Sequence, residues 1–105
     1  MKEITPQILK ERMDGVGAPV LIDVREPWEY EICHIAGSHS LPMRQIPQRY
    51  SEIDTARDVV VICHHGVRSA QVASFLAQQG MENIVNLAGG IDAWAKEVDE
   101  SMPVY

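Results

Sequence analysis

A cysteine, a glycine, an arginine and a serine stand within seven residues, as Cys63-His64-His65-Gly66-Val67-Arg68-Ser69. The run before them, Val59-Val60-Val61-Ile62, is the strongest strand signal in the chain, short, branched and apolar. After them, Ser69 to Gln79 carries Val72, Ala73, Phe75 and Leu76 at helical spacing, and Gly80 stands where a left-handed C-cap belongs. The cysteine is therefore expected at the end of a buried strand, with a short loop leading into a helix that starts near Arg68 or Ser69. A helix N-terminus has unpaired amide donors and a partial positive charge, so it binds anions and favours a thiolate over a thiol. Arg68 adds a permanent charge with a planar fork of donors, and Gly66 permits a turn that aims several amides inward. Together these features make Cys63 a candidate nucleophile rather than a small apolar residue at a strand end. The residues His64, His65, Gly66, Val67, Arg68 and Ser69 become a candidate anion-binding loop.

The rest of the chain supplies elements to position that loop. Val20-Leu21-Ile22-Asp23-Val24 and Ile84-Val85-Asn86-Leu87 read as further buried strands, with Ser40-Leu41-Pro42 and Lys2-Glu3-Ile4 as weaker ones. Thr5 is a good N-cap with Pro6 at the first helical position, for a helix that runs to about Met13. Helices are also expected over Glu26–Glu31, over Ile46–Ile53 and from about Gly90, the last packing through Ile91, Trp94 and Ala95. Strands alternating with helices give a parallel sheet covered on both faces. Ligands of such sheets gather outside the carboxyl ends of the strands, which singles out the residues after Asp23 and after Ile62.

At this level of detail the sequence resembles the rhodanese family. The Cys63-to-Ser69 run has its Cys-x-x-Gly-x-Arg-Ser pattern, and Leu21-Ile22-Asp23-Val24-Arg25-Glu26, followed by Glu29, is similar to its first signature. His34-Ile35-Ala36-Gly37-Ser38 resembles a second element, and Asn86-Leu87-Ala88-Gly89-Gly90-Ile91-Asp92-Ala93-Trp94 resembles the C-terminal signature. The resemblance implies an α/β fold, a three-layer sandwich with a five-stranded parallel sheet and helices on both faces, as a single domain over 1–105. It implies a thiosulfate sulfurtransferase without cofactor or metal. Cys63 would take the outer sulfur of thiosulfate or another sulfane-sulfur donor as a persulfide, sulfite would leave, and cyanide or a protein thiol would collect the sulfur. Loop amides and Arg68 would hold the anions, with Asp23, Arg25 and His34 in support. A persulfide carrier that serves a sulfur-trafficking partner shares the same intermediate. Cys-dependent phosphatases and arsenate reductases space nucleophile and arginine one residue further apart, as Cys-x5-Arg, and the shorter loop fits a single sulfur atom better.

Composition bounds the partners. The formal net charge is −6 over 105 residues, which argues against a surface that coats nucleic acid. No apolar run approaches the ~20 residues of a membrane span, and Met1-Lys2-Glu3-Ile4-Thr5-Pro6 lacks an apolar signal core. Two cysteines are too few for a disulfide scaffold, so a reducing, cytoplasmic setting is expected. Cys33, where the family usually has glycine, reads as a small packing residue, with a resolving thiol as the alternative. Neutral His64 and His65 make the loop less positive than one lined by Arg or Lys, so turnover is expected to improve as pH falls toward ~6.5. Adjacent histidines on a tight loop are expected to diverge, which disfavours a metal site with Cys63. Asp23 is expected to pair with Arg25, and Trp28, Tyr30 and Trp94 to be core or rim aromatics.

Overall fold

Short branched runs pair to satisfy their backbones, and an intervening helix returns each strand parallel to the last. The structure, a computed structural model, describes residues 2–105. Its strands are β1 (Lys2–Ile4), β2 (Val20–Asp23), β3 (His39–Ser40), β4 (Val59–Ile62) and β5 (Ile84–Leu87). They form one sheet in the order β1-β5-β4-β2-β3, and every pair is parallel. The central strand is β4, whose four residues are all fully buried. Cys63 follows it directly, at the carboxyl edge in the middle of the sheet.

Alternation along the strands divides the core in two. Leu21, Val60, Ile62, Val85 and Leu87 face one side, where they meet Leu9 of α1 (Pro6–Met13) and Ile91, Trp94 and Ala95 of α5 (Gly90–Glu97). Val20, Ile22, Val59, Val61 and Ile84 face the other, against Ile46 of α3 (Ile46–Arg49) and Val72, Ala73 and Leu76 of α4 (Val67–Gln78). Each buried Val, Leu or Ile among them contributes about 1.5–3 kcal/mol through removal from water. The expected three-layer α/β sandwich is the fold observed. Thr5 caps α1 as expected, its hydroxyl accepting the Ile8 N–H at 3.3 Å.

Three boundaries differ from the sequence reading. The short edge strand is His39–Ser40 and stops before Pro42, which has no N–H to offer a ladder. The helix expected over Ile46–Ile53 is broken into α3 between two 3-10 turns, Met43–Gln45 and Tyr50–Glu52, the tighter winding common at the ends of short helices. Helix α2 spans Pro27–Ile32, one residue later than expected, with Glu26 as its N-cap.

At the end of β2, Asp23 pairs with Arg25, as the sequence suggested. Arg25 has no exposed surface, and a buried guanidinium is tolerable only when its five N–H groups all find acceptors. Nε donates to Asp23 Oδ1 at 2.9 Å and Nη2 to Asp23 Oδ2 at 2.7 Å. Nη2 also donates to the Cys33 carbonyl at 2.7 Å. Nη1 donates to the Glu29 carbonyl at 3.3 Å and to the Tyr105 hydroxyl at 2.7 Å. Three neighbours within eight residues, Asp23, Glu29 and Cys33, are thereby tied through one side chain to the distant Tyr105. Asp23→Ala leaves that charge uncompensated and is expected to cost about 3–5 kcal/mol in urea unfolding. A loss below about 1 kcal/mol, the range of an exposed pair, would show the network to be dispensable.

Candidate active site

The loop after β4 is built around one sulfur atom. Cys63 is 1% exposed, and its Sγ turns into the loop, where the Gly66 N–H donates to it at 3.0 Å and Ser69 Oγ lies at 3.2 Å. Gly66 has φ +103°, a left-handed backbone that glycine adopts without strain and that points its amide at the sulfur. It is also the N-cap of α4, which begins at Val67, slightly earlier than the sequence indicated. The first-turn amides of Val67, Arg68 and Ser69 have no intrahelical acceptor, and the helix dipole adds positive potential beside the thiol. Val67 itself is 68% exposed, so its side chain takes no part in the loop interior.

A second helix pins the loop from the other side. The Ile91 N–H donates to the Cys63 carbonyl at 2.7 Å and the Asp92 N–H to the His64 carbonyl at 3.0 Å. This seats the first turn of α5 against the loop. Gly90 makes the approach possible, because a Cβ there would collide with the carbonyl oxygens of Cys63 and His64.

Arg68 behaves differently from the sequence expectation. Its fork does not reach for the sulfur; Nη1 and Nη2 donate to Glu29 Oε1 and Oε2 at 2.7 and 2.9 Å, a bidentate pair. Glu29 also accepts the Glu26 N–H at 2.9 Å and the Tyr105 O–H at 2.8 Å. Hydrogen bonds from Arg68, joined by those from the Glu26 amide and Tyr105, outweigh burial and hold the Glu29 carboxyl down at about 2. Burial in turn pushes the Tyr105 phenol up to about 12. Both guanidiniums near the loop are thus paired with carboxylates, and the donor that faces the sulfur itself is a backbone amide, that of Gly66.

The histidines also depart from expectation. His64 and His65 do not diverge: their rings stack with centroids 4.0 Å apart and planes 26° apart. The far face of His64 stacks on Tyr105, also at 4.0 Å. Burial, helped by the neighbouring His65, pushes the His64 imidazole down, a direction that works against the gain in charge expected as pH falls. Its Nε2 is buried without a partner among the described residues. His65 is exposed and faces Asp92, with Nδ1 to Oδ2 at 3.9 Å. His64, His65 and Asp92 offer ligand atoms within 4.8 Å of one another. The in-plane lone pairs of stacked rings run side by side, however, and Lys96 already holds the same Asp92 oxygen at 3.0 Å. A metal ion would need one ring to leave the stack.

Other sequence candidates separate from the loop. Cys33 and Cys63 are both free thiols, packed in the two different halves of the core on opposite faces of the sheet, as the packing reading of Cys33 requires. His34 stacks on Tyr30 and shares a hydrogen bond with the Tyr30 carbonyl at 2.8 Å, so its support is to α2 and not to the sulfur. Trp94 is core, whereas Trp28 is a rim residue, 59% exposed and edge-on to Tyr105. A cleft of about 340 Å³ near Val20, Leu41, Arg49 and Arg57 shares no residue with the loop.

Sequence reasoning missed three participants. Glu29 was visible as motif spacing but not as the clamp on Arg68. Tyr105 carried no signal. Asn86 did carry one, a polar residue inside the apolar run Ile84–Leu87, and it proves to be 2% exposed beside Ser69.

Comparison with known proteins places this geometry. The Rhodanese-like domain family matches residues 5–97. A sulfurtransferase of Allochromatium vinosum is 42% identical over 96 residues, covering 91% of this chain and 90% of that protein. The thiosulfate sulfurtransferase GlpE of Haemophilus influenzae is 38% identical over 95 residues, covering 90% and 89%. The crystal structure of a rhodanese-related protein from Thermoplasma volcanium superposes with a TM-score of 0.86 at 35% identity, covering 93% of this chain and 94% of that one.

Two outcomes test the geometry. Glu29 has its folded value lowered, so its contribution is complete above about 4.5 and is lost as pH falls toward about 2. Glu29→Gln is expected to cost on the order of 3 kcal/mol at pH 7, and its unfolding midpoint should converge with that of the parent as acid is added. A constant difference from pH 7 to pH 2 would contradict the clamp. Gly90→Ala must push the Cys63 and His64 carbonyls aside, so loss of sulfur transfer should exceed loss of fold; a fully active Gly90→Ala would refute the pinned loop.

Proposed function

Because the chain belongs to the rhodanese-like sulfurtransferase family, we propose that it moves a sulfane sulfur from thiosulfate or a persulfide donor, by way of a Cys63 persulfide, to a thiol or to cyanide. The observation that carries this reading is the Cys63 sulfur, enclosed by its own loop with the Gly66 amide at 3.0 Å and the first turn of α4 beside it. The thiolate attacks the outer sulfur of the donor; a sulfur–sulfur bond forms to Sγ, and the donor's own sulfur–sulfur bond breaks. From thiosulfate, sulfite leaves with the electron pair. An acceptor thiolate or cyanide then attacks the outer sulfur and returns Cys63 as thiolate. Loop amides aimed at the developing anion stabilise both steps without reorganising.

The paired state of Arg68 bears on the competing chemistry. A phosphoryl group presents three charged oxygens and draws its affinity from a free bidentate guanidinium. Here that fork is held by Glu29 on two short hydrogen bonds, and a terminal sulfur makes a smaller demand, which the amides alone can meet. Thiosulfate sulfurtransferase activity is therefore favoured over phosphatase or arsenate reductase activity. The same intermediate serves a carrier loaded by a partner, with a protein thiol as acceptor, and no resident cofactor or metal enters the step. Among the described residues no helix is long and apolar enough to cross a membrane; a cytoplasmic site of action fits a persulfide that must be discharged by thiols.

Intact-protein mass spectrometry after thiosulfate treatment tests the reading. A gain of one sulfur atom, reversed by cyanide and absent from Cys63→Ser, is expected. No gain with thiosulfate, but a gain from a persulfidated protein, would assign the carrier role; no gain from either would end the proposal.

A further inference from the structure

Cys63 is one end of a buried hydrogen-bond chain that the sulfur chemistry does not by itself require. Ser69 Oγ, with no exposed surface, lies 3.2 Å from Sγ and donates its only proton to Asn86 Oδ1. The direction follows from the other end of the amide. Asn86 Nδ2 faces two acceptors, the Gly66 carbonyl and Glu3 Oε2, each at 3.3 Å. Turning the amide over would set its oxygen against both of them and its NH2 against Ser69. The oxygen therefore faces Ser69, and Ser69 presents lone pairs to the sulfur.

A hydroxyl with one proton and two neighbours that could take it is a two-position switch. With the proton on Asn86, Sγ is best matched as a thiol, giving its own hydrogen to Ser69 Oγ while accepting from Gly66. A thiolate or persulfide would be better matched with the Ser69 proton turned toward it, which leaves the buried Asn86 oxygen without a donor. We propose that Asn86 is a positioning residue that, through Ser69, biases the resting Cys63 toward the protonated thiol and thereby sets how readily it takes up sulfur. The inference rests on the sulfur-transfer reading for its purpose, but not for its test.

The other charged and titratable groups around the loop are Arg68 with Glu29, His64 under Tyr105, His65 with Asp92 and Lys96, and Glu3 behind Asn86. Comparing variants at positions 69 and 86 keeps this background common to all of them. The readout is the pH dependence of Cys63 alkylation by iodoacetamide in the full chain, with Cys33→Ser as the common parent. Asn86→Ala frees the Ser69 proton for the sulfur, so the midpoint is expected to move to lower pH by about half a unit to one unit, with alkylation at pH 7 faster by about threefold to tenfold. In a Ser69→Ala background the same substitution should leave the midpoint unmoved, because the intermediary is gone. Asn86→Leu, which keeps the volume and removes the acceptor, gives the same reading should the alanine variant unfold. An unchanged midpoint, a shift to higher pH, or an equal shift with and without the Ser69 hydroxyl would each overturn the proposal. Alkylation needs no sulfur donor, so failure of the sulfur-transfer reading would appear separately, as absence of the sulfur gain in the mass spectrum.

Discussion

A guanidinium without access to water constrains much of this molecule. Arg25 is stable inside the fold only because its donors are all matched, and the matching groups come from β2, from α2 and the residue after it, and from Tyr105. Removing one acceptor from such a set costs more than the set contributes when whole, since the charge remains behind. The network thus specifies relative positions more than it adds stability. Tyr105, held by Arg25, carries its hydroxyl to Glu29, and Glu29 holds Arg68 on the first turn of α4. These four residues set the approach of that helix to the thiol beside it.

The consequence at the active site is electrostatic restraint. A chain of net charge −6 repels anions at a distance, and both nearby arginines have spent their charge on carboxylates. What the loop offers an anion is then short-ranged, chiefly amide hydrogens held by Gly66 and the start of α4. Such dipoles act strongly only where water is excluded, and a thiol 1% exposed meets that condition. A site of this kind suits a small, polarizable anion parked on a fixed atom better than a large oxyanion gripped by side chains.

Rigidity comes from close backbone contact. The first turn of α5 hydrogen-bonds to the carbonyls of Cys63 and His64, and only a residue without a Cβ can stand at position 90. On the other flank Asn86 of β5 ties the Gly66 carbonyl to the Ser69 hydroxyl. The loop is thus clamped between neighbouring elements through main-chain groups, so its shape depends little on the exposed side chains of His65 and Val67.

The sheet and its layers were legible in the sequence because branched apolar runs and amphipathic helices have distinct periods, and β4 followed by Cys63, Gly66 and a helix start is a local arrangement. The pairing of Asp23 with Arg25 was legible for the same reason, at two residues' separation. The partners of Arg68, the stacking of His64 between His65 and Tyr105, and the separation of Cys33 from Cys63 were not. Each depends on which groups from distant segments meet after burial, and no local pattern reports that. By itself the sequence determined that a cysteine sits at the carboxyl end of a buried strand, before a helix. Only the tertiary structure decided where the charges went, because a buried ion is assigned to whichever counter-ion and hydrogen bonds the packed chain brings within reach, not to its neighbour in the sequence.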